Sequence, residues 1–306
     1  MSFAGRWGAL LLFGVVSVVP SRTLAGQAEP IETLMRRVDY HVDSTLILHI
    51  EYLRGRLVPR KAGSPASFDD NTSFEIAMDT ATIRVTMVSL SDLLNRYVFN
   101  YPGTPLRGLT ATMSDSGRMK QTGRLHGLPF SIVTDLSVTA AGELRLHPVS
   151  IKMFGIGAGG LMKLFGLSLQ KMADVKKANG IRIEKNDLLL DPAAMLPPPL
   201  TRGKLVAASV RDSAITLRFG GRPSATAIKL PEGRFTQFMY FRGGTLRFGL
   251  LTMRPADLLV VDHDPRDPFD FWLEKYQRQL VAGVSLTTPS GGLITEWPDY
   301  SKVKRK

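Results

Sequence analysis

A glycine-rich segment and an acidic loop carry the residues of this chain whose spacing comes closest to known chemistry. In GIGAGG, residues Gly155, Gly157 and Gly160 satisfy G-x-G-x-x-G, and Glu184 follows Gly160 by 24 positions. Such a turn lets backbone approach a pyrophosphate at a helix N-terminus, with the acidic residue on a ribose hydroxyl. Dinucleotide folds surround that turn with continuously apolar strands in βαβ units, whereas the flanking segments here alternate polar and apolar residues. A turn that packs a helix closely on sheet accounts for these glycines better.

The second candidate is DHDPRDPFD, in which Asp262, Asp264 and Asp267, followed by Asp270, offer oxygen ligands to a hard cation such as calcium. Asp267 stands where a calcium loop needs its sharp-turn glycine, and the terminal glutamate is missing. Turn formation and capping of a following helix, with Asp267 or its neighbour as cap and Pro268 in the first turn, explain the same residues. Catalysis needs a base within reach of a nucleophile or water. The five histidines, His41, His49, His126, His147 and His263, form no helix-spaced pair, and neither G-x-S-x-G nor H-E-x-x-H occurs. No catalytic residue and no cofactor is called for, and an exported hydrolase assembled from distant residues is retained only as an alternative.

The elements that must position any site are mostly strands. Period-two patterning puts Leu46, Leu48 and Ile50 on one face, then Phe74, Ile76 and Met78, then Ile83, Val85 and Met87. The pattern returns at Phe130, Ile132, Leu136 and Val138, at Leu144 and Leu146, and at Ile215, Leu217 and Phe219. Turn residues separate them: Asp115, Ser116 and Gly117, Ala141 and Gly142, and Gly243 and Gly244 at hairpin spacing. A helix capped by Ser89 or Ser91 is expected through Val98, and a longer one from about Gly160 to Ala178 carrying Leu161, Leu164, Phe165, Met172 and Val175. A third is expected from Phe269 to Val281, and the LPPPL tract from Leu196 to Leu200 reads as a polyproline spacer.

The N-terminal segment has the order of an export signal: a basic start, an apolar run of 12 residues from Gly8 to Val19, and a small-residue cleavage region. Cleavage near Ala25 or Ala28 and delivery to the periplasm or cell envelope are therefore expected. That run is well short of the ~20 residues a spanning helix needs. With no cysteine, disulfides, thiolate metal sites and a thiol nucleophile are excluded. The formal net charge is +12, which becomes +10 once Arg6 and Arg22 of the leader are removed. For an exported chain this favours an anionic membrane surface or acidic polymer as neighbour, or simple solubility. The basic residues are scattered, so no nucleic-acid module is implied. The 12 Met and 15 Phe suit adaptable apolar cavities, though they also fill ordinary cores.

The helix SLSDLLNRYV, the strands in GRLHGLPFSIVTDLSV and GELRLHPVSI, the segment GGLMKLFGLSLQKM and the run GIRIEKNDLLLDPAAMLPPPLTRGKLVAASVRDSAITLRF together resemble the LmeA-type periplasmic phospholipid-binding family, over about residues 88–220. The likeness extends more distantly to tubular lipid-binding (TULIP) proteins, and it is one of element order and hydrophobic texture. The resemblance implies an α+β fold, a strongly curved antiparallel sheet wrapped on a long central helix as a half barrel, with a C-terminal α/β extension. It further implies an apolar groove for lipid tails, lined by Phe130, Ile132, Leu136, Leu161, Leu164, Phe165, Ile215, Leu217 and Phe219. The expected organisation is a leader over 1–28, a lipid-binding-like β-rich domain over 29–232 and an extension over 233–306. The expected function is non-catalytic handling of lipid or another apolar ligand. The alternative is a structural or interaction protein with a basic surface.

Overall fold

The structure is a computed structural model that describes residues 29–154, 177–221, 228–264 and 266–303. The leader, the glycine motif and all but the last two positions of the helix expected from Gly160 to Ala178 lie outside those residues.

The chain opens with β1 (Ile31–His41), β2 (Ile47–Pro59), a two-residue β3 (Ala66–Ser67) and β4 (Phe74–Thr86). Helix α1 (Met87–Leu93) runs without a break into a wider π turn, Leu94–Val98. An antiparallel meander follows: β5 (Leu106–Met113), β6 (Met119–Leu125), β7 (Leu128–Val138) and β8 (Leu144–Met153). Then come β9 (Ile181–Glu184), β10 (Asp187–Leu190), a single turn α2 (Pro192–Met195), β11 (Leu200–Arg202), β12 (Leu205–Arg211) and β13 (Ala214–Gly220). The C-terminal part comprises β14 (Phe238–Gly243), β15 (Leu246–Phe248), β16 (Leu251–Met253), β17 (Ala256–Asp262) and β18 (Phe269–Trp272). Helix α3 (Tyr276–Ala282), β19 (Val284–Thr287) and β20 (Leu293–Trp297) complete it.

Strand accounts for 54% and helix for 11%, so β-sheet dominates, and the antiparallel sheet curls into a half barrel. The largest sheet runs β12-β13-β4-β2-β1-β14-β17-β20-β19, with β11 added parallel to β4 and β18 parallel to β1. A second, wholly antiparallel sheet has the order β5-β6-β7-β8-β10-β9, and β16-β15-β3 form a third. The segment after Gly233 continues the largest sheet, because β14 pairs with β1 and β17 with β14. Among the described residues the longest continuous helical stretch runs from Met87 to Val98.

The alternating strands form for the reason their pattern gives: Leu48, Ile50, Ile76, Ile83, Val85, Leu217 and Phe219 are all buried, with more exposed neighbours between them. Bulges between β2 and β4, at Ile50/Tyr52 and Arg54/Gly55, bend the largest sheet. Gly55 permits the second of these, since a Cβ there would sit 2.2 Å from the Ala77 carbonyl oxygen. Most phenylalanines serve the core. Phe68 packs on Phe74, Phe241, Phe248 and Phe271, and Trp297 joins through Phe248. Each such ring buried is worth roughly 2–3 kcal/mol, so this cluster holds the third sheet and α3 onto the first.

Three local expectations are corrected. The cap of α1 is Thr86, whose hydroxyl accepts from the Ser89 amide at 3.1 Å, while Ser91 instead bonds Met87 O and Ala111 N. Gly243 and Gly244 do not close a hairpin. They carry the chain from β14 in the largest sheet to β15 in the third, because β14 already has β1 and β17 on its two edges. The helix expected from Phe269 to Val281 begins only at Tyr276. Phe269 and Phe271 point into the core at period two, and the Val38–His41 end of β1 takes this stretch as a parallel partner, which satisfies its backbone groups. Asp267 accordingly precedes a strand and caps no helix.

Candidate functional site

Two apolar cavities lie side by side. The first spans one face of the largest sheet, where register alone assembles the row Leu217, Ile83 and Ile50 across β13, β4 and β2. Ile215, Phe219 and Met35 extend this wall, Leu90 and Leu93 of α1 close one side, and the stretch from Pro192 to Pro199 closes another. It encloses about 990 Å³ of space free of atoms, its open mouth included. Among the described residues its only polar side chains are Tyr40 and Thr201, and the Thr201 hydroxyl donates to the Ala193 carbonyl at 3.0 Å.

The second cavity, also about 990 Å³ with its mouth, lies against the antiparallel meander. Phe130 and Ile132 of β7 face it together with their register partners Met153 and Ile151 of β8, and Leu94 and Phe99 cover them from the π turn. Leu190 belongs to the walls of both cavities, and the neighbouring residues Leu93 and Leu94 belong to the first and second respectively. The septum between them is therefore the end of β10 and the junction of α1 with the π turn.

That junction is held by a buried carboxylate. Asp43 accepts from the amides of Thr45 at 2.7 Å and Leu46 at 2.9 Å, which shapes the β1–β2 turn. It also pairs with Arg96 at 2.8 Å and takes the Tyr97 hydroxyl proton as a hydrogen bond. Burial pushes its pKa up, but the hydrogen bonds from Tyr97, Thr45, Leu46 and Arg96 outweigh burial and hold it well below the usual carboxylate range.

Of the residues expected from sequence to contact an apolar ligand, Ile215, Leu217 and Phe219 line the first cavity, and Phe130 and Ile132 the second. Leu136 is half-buried and packs on the core outside either lining. Leu161, Leu164 and Phe165 lie outside the described residues. Sequence reasoning missed Tyr40, Leu190 and the LPPPL tract as wall. Period-two patterning marks a buried face, and nothing in it separates residues that meet a ligand from those that meet a neighbouring strand.

In the acidic loop, Asp262 and Asp267 come together with Asp299, one carboxylate oxygen of each lying within 4.8 Å of the others. Asp264 does not join them; it pairs with Arg266 at 2.6 Å and Lys302 at 3.2 Å, and Lys302 also pairs with Asp299 at 2.6 Å. The trio has the oxygen donors a hard cation takes. Asp262 is pushed up to about 7, by burial first and then by the charges of Asp299, Asp267 and Asp264. A carboxyl raised on folding contributes stability that is fully present below its unfolded pKa near 4 and is lost as pH rises through about 7. Asp262→Asn should flatten that slope. After chelator treatment, urea unfolding should find the variant more stable than the parent at pH 8 by on the order of 1–2 kcal/mol, with the gain gone at pH 4. Parallel pH profiles would refute this.

Four histidines are paired with carboxylates: His41 with Asp270, His49 with Asp39, His147 with Asp187 and His263 with Glu296. The His41 ring also stacks on Trp272 at 4.2 Å. The first two pairs are neighbours, since Asp39 stands opposite both His49 and Asp270 in register, and none of these eight residues lines either cavity.

No family model, curated protein or solved structure matches the chain.

Proposed function

We propose that this chain is an exported, non-catalytic envelope protein that holds lipid tails, or another long apolar ligand, in its paired cavities. The observation that carries the reading is the wall of the first cavity, whose described side chains are apolar apart from Tyr40 and Thr201. Such a surface gains about 0.8 kcal/mol for each methylene it covers, without directional bonds. Met35, Met78 and Met195 in that wall are unbranched and adapt to an irregular chain. The resemblance to LmeA-type phospholipid-binding proteins points to the same class of ligand, and the basic balance of the chain suits an anionic headgroup or membrane surface.

The test is native mass spectrometry of protein purified without detergent, followed by extraction of whatever lipid it carries. Adducts of lipid mass near one per chain are expected. Ile132→Trp, which fills space at a half-buried wall position of the second cavity, should cut the adduct population several-fold while the melting temperature stays within a few degrees.

A second reading, a docking protein, draws on β19, the last strand of the largest sheet. There Val284 and Leu286 are exposed, as is Val281 just before it. Clean apo protein that also ignores added phospholipid would promote that reading over the first.

A further inference from the structure

The first cavity contains a donor with nothing to donate to among the described residues. The Tyr40 hydroxyl is buried and has no hydrogen-bond partner among them, in a residue that is only 4% exposed. Tyr40 pairs in register with Leu48 of β2, as Met35 does with Leu53, and all four line the cavity, so this ring stands on the cavity face of the sheet. Phe271, whose ring centre lies 5.1 Å away, offers no conventional acceptor. Burial alone pushes the phenol pKa upward, so the group stays a neutral O–H donor at any physiological pH.

A buried hydroxyl left unpaired costs stability, and phenylalanine would fill the same space without that cost. From this we infer that Tyr40 is a specificity determinant, donating a hydrogen bond to the carbonyl oxygen of an ester or amide on the bound chain. The inference rests on the apolar-carrier reading and narrows it. The preferred ligand is then an acylated molecule whose carbonyl enters the cavity, not a bare hydrocarbon. An ionised carboxylate is disfavoured in the same place, because one phenol cannot replace its hydration.

The test compares methyl laurate with the straight-chain alkane of equal heavy-atom count, each displacing a fluorescent apolar dye from the full chain. The parent protein should prefer the ester by roughly tenfold, the worth of one buried hydrogen bond. Tyr40→Phe should bind the two alike, with alkane affinity unchanged and a melting temperature no lower than the parent's. A measurement on the parent alone covers the case of a variant that misfolds: the infrared carbonyl band of bound ester should fall below its frequency in alkane solution. An ester preference that survives in Tyr40→Phe, an unshifted band, or equal binding of both probes by the parent, as an ordered water on the hydroxyl would give, overturns the role of Tyr40 and leaves the carrier reading standing. A parent protein that binds neither probe overturns the carrier reading, and this inference with it.

Discussion

Asp43→Ala should lower the free energy of unfolding by about 3 kcal/mol, the range expected when one member of a buried ionic network is removed. The carboxylate is 5% exposed and serves two elements at once. Its loss strips an acceptor from the amides of Thr45 and Leu46 in the β1–β2 turn, and from the Tyr97 hydroxyl and Arg96 guanidinium in the π turn. The damage reaches the cavities too, because the π turn and α1 form the septum between them, through Leu94 and Leu93. Asp43→Asn keeps an acceptor for the turn but loses the charge facing Arg96, and should cost about half as much. The sign of the pH dependence follows from the depressed pKa. The contribution of Asp43 is complete above the unfolded carboxyl's titration near pH 4 and is lost as pH falls through the lower folded value. Parent and Asp43→Ala stabilities, read from urea titrations, should therefore converge in strong acid. A loss under 1 kcal/mol at pH 7 would mean that the turn and the helix are held by other contacts.

The largest effect is expected at Gly220, the last residue of β13. Its φ is +71°, and a Cβ there would lie 1.8 Å from the backbone carbonyl oxygen of Asp79. Both faults act on Gly220→Ala: a left-handed conformation unfavourable to an L side chain, and a collision with backbone that cannot rotate away. Together they should cost about 4 kcal/mol or prevent folding. Gly221→Ala is the control, since among the described residues nothing lies within 4 Å of a Cβ at that position, and it should fold as the parent does. The displaced strand also carries Phe219 and Leu217, so on the proposed carrier function any Gly220→Ala protein that does fold should hold less lipid. Thermal melts of the two variants side by side decide the matter, and equal midpoints would refute the close approach.

How much of this was legible beforehand depends on the range of the interaction concerned. Residues Leu48, Ile83 and Leu217 announce half-buried strands because side-chain direction repeats every two residues, whatever the partner. Phe269 to Tyr276 was ambiguous for a related reason. A run of apolar residues that suits one face of a helix also suits a short strand, and only the open edge of β1 decides between them. The Gly243–Gly244 pair signals a change of direction. Which strands it joins depends on the edges of β14 already taken by β1 and β17.

The sequence by itself determined the β-rich character of the chain, the absence of thiol chemistry and the hydrocarbon character of its buried faces, because these are local or compositional properties. Tertiary structure alone decided that Leu217, Ile83 and Ile50 stand in one row, that Leu190 divides two cavities, and that Asp299 meets Asp262 from 37 positions away. It also decided that the Tyr40 hydroxyl is left without a partner, among the described residues, in an apolar wall. Strand register and the closing of long loops create such juxtapositions, and neither leaves a periodic trace along the chain.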